Sequence, residues 1–222
     1  NVLVAKGVLA DKIKNLDTKI SDWSNWDDSY KFIEDANPDF IKSNLADQAL
    51  VDLKINFIIF INSAGDIVFS KGVDADENHA LPIPESLKKY LTKDNTLVKH
   101  PDINGDVSGI LMLPEGPLLI GSKPILTSAK KGPIHGALIF ARYLDSTVIK
   151  GLSETAQLPV TIGRFNDPLL PSDLKSIQEV FYKGNEILIK PLNNREIAGY
   201  AVLKDIFNNP ALILKIETPR GI

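Results

Sequence analysis

Six side chains supply the binding chemistry that can be read from this chain: Trp26, Asp27, Tyr30, Ser122, Lys123 and Arg142. The first three fall within one helical turn of each other, so an acid stands among aromatic rings. A carboxylate in an apolar setting is costly unless something neutralises or hydrogen-bonds it. Asp27 therefore either sits at a rim, bonded to a backbone amide or a tyrosine hydroxyl, or it faces a ligand cavity or clamps a loop over one. Arg142, at the end of a strand, could hold a carboxylate or phosphate in a forked geometry. The plainer reading is a surface pair with Asp145 or Asp27. Ser122 and Lys123 end a strand expected beside that of Arg142. His135 lies seven residues before Arg142, and an odd separation on one strand puts the two on opposite faces. Lys54 and Asn56 share a strand face with Ile58 and Phe60, as a polar entrance to a cavity or as a solvated strand end.

Catalytic patterns are missing. There is no Gly-x-Ser-x-Gly, no glycine loop ending in Lys-Ser or Lys-Thr, and no Gly-x-Gly-x-x-Gly after a strand. His79, His100 and His135 lie far apart in sequence, without zinc-ligand spacing. Asp27 and Asp28 point about 100° apart on a helix and cannot share one substrate atom. Asp74, Asp76, Asn78 and Glu85 match some positions of a calcium loop, but His79 stands where the turn needs glycine and Pro82 and Pro84 stiffen the return. A solvated acidic loop is expected there, with no catalytic residue, metal or cofactor in the chain.

These side chains have to be positioned by a well-packed core, and the chain can build one. Its 222 residues are 44% hydrophobic and 24% charged, which is ordinary globular composition. A net charge of −3 without a long basic run makes nucleic acid a poor partner. The absence of cysteine removes disulfides and thiolate chemistry. No segment approaches the roughly 18 to 20 apolar residues of a membrane span. With Asn1 first, Met112 the only methionine, and Thr218-Pro219-Arg220-Gly221-Ile222 following directly on an apolar strand, the chain reads as an excised piece. A domain taken from between two membrane helices would have this form, as would any trimmed segment.

Val2, Leu9, Leu16, Trp23 and Tyr30 recur every seven residues, with Ile13 and Ile20 between them, predicting one helix over 2–35 that packs on a partner helix or a sheet. Asp27 takes the next position where an Ile is expected. Asn37-Pro38 stops this helix and starts a second to about Leu45, with 46–51 as a candidate continuation. Strands are expected at 53–61, 66–70, 107–113, 118–122 and 134–142, with an irregular segment from 71 to 84 and a short helix after Pro84. A helix over 144–156 leads to strands at 160–162, 186–191, 198–204 and 211–217, with a helix near 172–180.

The run Trp23-x-x-Trp26-Asp27-Asp28-x-Tyr30-x-Phe32, followed by Asn37-Pro38-x-Phe40 and Asn44-Leu45, resembles the opening of the fourth class of CHASE domains, extracytoplasmic sensor modules of archaeal and bacterial signalling receptors. The resemblance continues through Gly65-Asp66-Ile67-Val68-Phe69 and Arg142-Tyr143-Leu144-Asp145, and becomes general after about residue 150. It implies an α+β fold: a long amino-terminal helix on a PAS-like antiparallel sheet, then a smaller α+β unit, a CACHE-like arrangement. The divisions expected are 1–50 for the helices, 51–145 for the sensor sheet and 146–222 for a membrane-proximal unit. The expected function is ligand sensing for a membrane receptor such as a histidine kinase or diguanylate cyclase, with an unidentified small-molecule ligand. Flanking helices would tether the domain, and the helix stripe would pair it as a homodimer. The alternative is an extracellular spacer or interaction module that docks a partner protein.

Overall fold

The heptad stripe forms one helix, α1 (Val2–Ser24), but it does not run on to residue 35. Asn25 Nδ2 donates back to Ser21 O at 2.8 Å, and Trp26 turns to extended backbone at φ −121° and ψ 129°. A new helix, α2 (Asp27–Asp35), then begins. Asp27 is thus the exposed first residue of a helix, not a buried member of the stripe, and two acids in that first turn suit the positive end of the helix dipole. The restart shifts the buried phase onto Ser29, Phe32 and Ile33.

The computed structural model describes all residues except 75, 77, 78, 169–171, 183 and 220–222, and the side chains of 172, 173 and 176 are also left undescribed. Asn37 caps α3 (Pro38–Asn44) by accepting from Asp39 N, as the Asn-Pro pair predicts. Residues 46–51 do not prolong α3. They form a separate helix, α4 (Asp47–Leu53), that ends at Lys54 in the left-handed region, so the first strand starts at Phe57 and not at Leu53. The chain continues through β1 (Phe57–Asn62), β2 (Ile67–Asp74), β3 (His79–Ala80), α5 (Glu85–Lys88), β4 (Val107–Met112), β5 (Pro117–Pro124) and β6 (Gly136–Tyr143). The stretch expected to be irregular from residue 71 instead continues β2 to Asp74 and pairs with β3.

These strands make an antiparallel sheet in the order β3-β2-β1-β6-β5-β4. Ile58 pairs with Phe140 and Phe60 with Leu138, so these four residues share one face. The helices cover that face: Trp23 meets Phe140 at 6.0 Å and Phe32 meets Phe60 at 5.1 Å, both edge-on. Ile20 seats over Gly121, where an added Cβ would lie 2.4 Å from its Cδ1. The segment 81–106, carrying the buried Leu87, Leu91 and Leu97, contributes to the opposite face, where Ser122 Oγ donates to Leu97 O. Gly136 opens β6 at φ 149°, with room for no side chain: a Cβ would lie 2.0 Å from Ile61 O.

The chain divides into two units, one of Ile13–Tyr143 and the other of Asn1–Lys12 with Leu144–Ile222. The second contains α6 (Ser146–Ala156), β7 (Val160–Arg164), α7 (Ser172–Tyr182), β8 (Ile187–Pro191), β9 (Glu196–Lys204) and β10 (Pro210–Pro219). Its antiparallel sheet runs β7-β10-β9-β8, and Leu174, Ile177 and Phe181 of α7 pack with Ala198, Tyr200, Val202 and Ile213. On the other face of β9, Val2 of α1 lies against Gly199. Val2, Leu9, Leu16 and Ile20 are all buried within the chain, so the stripe serves its own sheets and is not held open for a partner helix. No helix among the described residues is long and apolar enough to cross a membrane.

Candidate functional site

The six residues singled out in the sequence fall in four places. Trp26, Asp27 and Tyr30 come together, while Ser122, Lys123 and Arg142 lie apart from them and from one another.

Trp26 belongs to an aromatic chain: Trp23 to Trp26 at 6.1 Å, Trp26 to Phe40 at 5.6 Å, and Phe40 stacked on Phe32 at 4.4 Å. The tryptophan and phenylalanine spacing of this stretch is therefore a packing pattern that seats α2 and α3 on the sheet. Asp27 faces outward to the β5–β6 loop (residues 125–135). Its N–H donates to Ser128 Oγ at 3.1 Å, and its Oδ1 accepts from Ser128 N at 2.8 Å. Trp26 offers no side-chain cap to α2, so Ser128, about a hundred residues away in sequence, takes over one of the orphan helix donors. Tyr30 stacks on His135 at 3.6 Å and donates to Pro133 O at 3.3 Å, and His135 Nδ1 lies 3.2 Å from Glu34 Oε1. Asp27 thus bonds a backbone amide, as the rim reading expects, and in doing so clamps a loop. His135 precedes β6, so the face alternation expected between it and Arg142 does not apply.

The clamped loop has a second role. Leu126 and Lys130 from it, Ser21 and Ser24 from the last turns of α1, Asn25, and Ile103, Asn104 and Asp106 from the approach to β4 line a cleft of about 230 Å³ together with Lys123 and Pro124. Leu126 N–H donates to Ser24 O at 2.8 Å, joining loop and helix at its base. Lys123 reaches Asp17 Oδ1 at 2.9 Å and Asp106 Oδ2 at 3.0 Å, with its side chain only 12% exposed. Burial opposes the ammonium charge, but the hydrogen bonds to Asp17 and Asp106 outweigh it and hold the lysine above its ordinary pKa. Asp106 is correspondingly held below the usual carboxylate value by its hydrogen bond to Lys123, against a smaller opposing effect of burial. Asp17 was missed in the sequence. Asp17, Ser21 and Ser24 are spaced by four and three, which puts a polar edge along the apolar stripe of α1 and was the available signal.

Ser122 points the other way. Its Oγ donates to Leu97 O at 2.6 Å and lies 3.1 Å from His100 Nε2, all in buried surroundings. With its single proton on Leu97, Ser122 can only accept from His100, so Nε2 carries the imidazole proton. His100 Nδ1 is buried as well. Burial pushes the His100 pKa down, opposed by the Gly105 backbone and by Asp106; Lys123 adds to the lowering.

Arg142 is buried, and its Nη2 contacts both oxygens of Asp76, at 2.9 and 2.8 Å. Asp76 was not foreseen as a partner, and it lies between β2 and β3, about 66 residues before Arg142 in sequence. Asp76 is therefore engaged in an ion pair, Glu85 pairs with Lys88, and Asn78 lies outside the described residues. No group of three His, Asp or Glu side chains among the described residues converges to hold a metal. Asn56 acts as a bracket, not a cavity entrance: Nδ2 donates to Val73 O at 3.1 Å and Oδ1 accepts from Tyr143 N at 2.9 Å. Lys54 is the helix cap before β1 and shares no strand face with it.

The packing pattern around Trp26, Asp27 and Phe40 lies inside a stretch, residues 8–163, matched by the family model of the CHASE4 domain. The chain belongs to the CHASE4 family. As a CHASE4 domain it is a sensor domain of a signalling receptor. It is 27% identical over 214 residues to the methanogenesis regulatory histidine kinase FilI of Methanothrix harundinacea, covering 96% of this chain and 23% of that protein. The chain thus spans about a quarter of the length of the curated relative it matches. Among solved structures, the CHASE4 chain superposes on the periplasmic domain of Vibrio cholerae LuxQ with a TM-score of 0.61 at 10% identity, covering 99% and 98% of the two chains. The extracellular domain of a protein described as a histidine kinase, vpHK1S-Z8, gives 0.53 at 12% identity, covering 99% and 94%. At these identities the likeness is one of fold: a long helix with antiparallel sheets.

Proposed function

We propose that this CHASE4 domain reads a small-molecule ligand on the extracytoplasmic side of a membrane, and that the ligand occupies the cleft beside Lys123. The observation that carries this is the cleft lining itself: Ser21 and Ser24, in the last two turns of a 23-residue helix, share it with Lys123 and Asp106. A ligand there touches the end of a helix about 35 Å long, so it can favour one position of α1 by a differential contact of a few kcal/mol. Asp27, Trp26 and Tyr30 serve this site indirectly, by fixing the loop that supplies Leu126 and Lys130. Ser122 and Arg142 fix the sheet around it.

In the whole receptor, residues 51–145 form the sensing sheet and 146–222 the membrane-proximal unit, with flanking helices as the tether and a kinase or cyclase as the attached output. The chain itself is not catalytic. Because the heptad stripe is buried, a second copy pairs along the outer side of α1, where Leu3 and Val4 are 65% and 51% exposed and Gly7 leaves open space.

Thermal denaturation against a panel of small acids, amines, nucleotides and divalent metals tests the site. A ligand at about a hundred times its Kd raises stability by about 2.7 kcal/mol. That gain should vanish in the double variant Asn104→Ala/Lys130→Ala, whose two side chains are exposed, and weaken in Asp27→Ala. A gain that survives the double variant places the ligand elsewhere. A flat panel favours the docking module that binds a protein partner.

A further inference from the structure

Resting on that reading of the cleft, we infer that its ligand is a small carboxylate anion. The argument is an inventory of the groups left over once the protein has bonded to itself. Asp106 is the sole acid of the lining, and Lys123 holds it at 3.0 Å. Lys123 is in turn held between Asp106 and Asp17, so its charge is matched within the protein. Lys130, on the clamped loop, forms no ion pair among the described residues and stands exposed at the mouth. Among the described residues the Asn104 side-chain amide makes no hydrogen bond, while its backbone N–H donates to Asp102 Oδ1 at 2.7 Å and its carbonyl accepts from Asp106 N at 3.0 Å. Ser24, a residue of the lining, is 0% exposed, and its hydroxyl has no hydrogen-bond partner among the described residues.

Among the described residues of the lining, the uncommitted groups are therefore one ammonium, one amide N–H pair and the hydroxyls of Ser21 and Ser24, which can donate or accept, with amide oxygens of Asn25 and Asn104 as the neutral acceptors. The Ser24 hydroxyl is sealed from solvent, so a ligand meets it only if the lining shifts; the donors within reach are those of Lys130, Asn104 and Ser21. A second cation would meet Lys130 with no free acid opposite. A carboxylate meets a cation at the mouth and hydroxyl and amide donors within. The volume of about 230 Å³, roughly the share of seven to eight water molecules, suits a short organic acid and is too small to enclose a nucleotide.

The experiment compares sodium acetate, sodium succinate, neutral succinamide, methylammonium chloride and inorganic phosphate at matched ionic strength, by thermal denaturation. The probes are tested on the intact domain and on Lys130→Glu, a substitution of an exposed side chain. Succinate or acetate should raise the midpoint by several degrees, succinamide and methylammonium should not, and Lys130→Glu should abolish the rise. Stabilisation by succinamide or methylammonium that Lys130→Glu or Asn104→Ala alters overturns the carboxylate while leaving the cleft as the site. Equal stabilisation by phosphate also overturns it, in favour of any small anion. A carboxylate rise indifferent to both substitutions sinks the cleft itself, and no rise with either carboxylate at millimolar concentration overturns the inference outright.

Discussion

Ser122 and Lys123, neighbours on β5, point to opposite faces of the sheet and tie one segment to both. Ser122 lies 3.1 Å from His100 Nε2 on one face, and Lys123 lies 3.0 Å from Asp106 Oδ2 on the other. His100 and Asp106 both belong to the approach to β4, at the edge of the sheet. This segment also lends Ile103 and Asn104 to the cleft, so it joins both faces of the sheet to the proposed ligand site.

Lys123→Met should remove the cation between Asp17 and Asp106 and leave Asp17, whose side chain is only 23% exposed, without its partner. The expected cost is about 2 kcal/mol, reduced from that of a fully buried pair because Asp106 is half exposed. Adding Asp17→Asn should recover part of it. Urea midpoints of the single and double variants check this; a double variant no better than Lys123→Met would show that the charge of Asp17 is not the source of the cost.

Ser128→Ala should remove the cap that α2 receives from the β5–β6 loop, at about 1 kcal/mol, or roughly 3 °C in a chain of this size. Asp27→Ala removes the other bond, from Ser128 N to Asp27 Oδ1, and either loss frees the loop that the remaining bond needs in place. The two changes together should cost clearly less than their sum. Additivity to within about 0.5 kcal/mol would mean that the residues do not act as a pair.

Acidification should destabilise the domain through His100. Its folded pKa lies below the ordinary 6.5, so between the two values the unfolded chain binds more protons and stability rises with pH. The contribution is fully present above 6.5 and is lost as pH falls through the folded value. Asp106 acts lower, below its ordinary 3.8, and loses its contribution as pH falls through its own depressed value. His100→Gln keeps a donor for Ser122 and does not titrate. Denaturation between about pH 7.5 and pH 5 should therefore show a smaller loss in His100→Gln; an unchanged loss would assign the effect to other groups.

Asp76→Asn should weaken the pair with Arg142 and loosen the β2–β3 turn, with a stability cost of about 1 kcal/mol given the partial exposure of Asp76. The sharper readout is amide exchange at His79 and Ala80, which pair with Asp74 and Val73. Protection there unchanged by the substitution would show that the turn holds without the ion pair.

Wherever a side chain's partner lies close in sequence, the chain was legible by itself. The apolar repeat of α1, the Asn37 cap, the Asn62–Asp66 turn and the alternation of strands all rest on neighbours within a few residues, and each of these elements starts within a few residues of where its pattern puts it. The break at Asn25 was not legible, because it depends on Ser128, about a hundred residues on, capping a helix that has no cap of its own. The same distance hid Asp76 from Arg142 and Asp17 from Lys123. The sequence alone determined that Trp26, Asp27 and Tyr30 form one group and that the fold is a long helix on an antiparallel sheet. Only the tertiary structure decided that this group clamps a loop and that Lys123, not Ser122 or Arg142, opens to a cleft. The reason is physical: strand register sets which face each side chain takes, and register follows from pairings between segments that local periodicity cannot foresee.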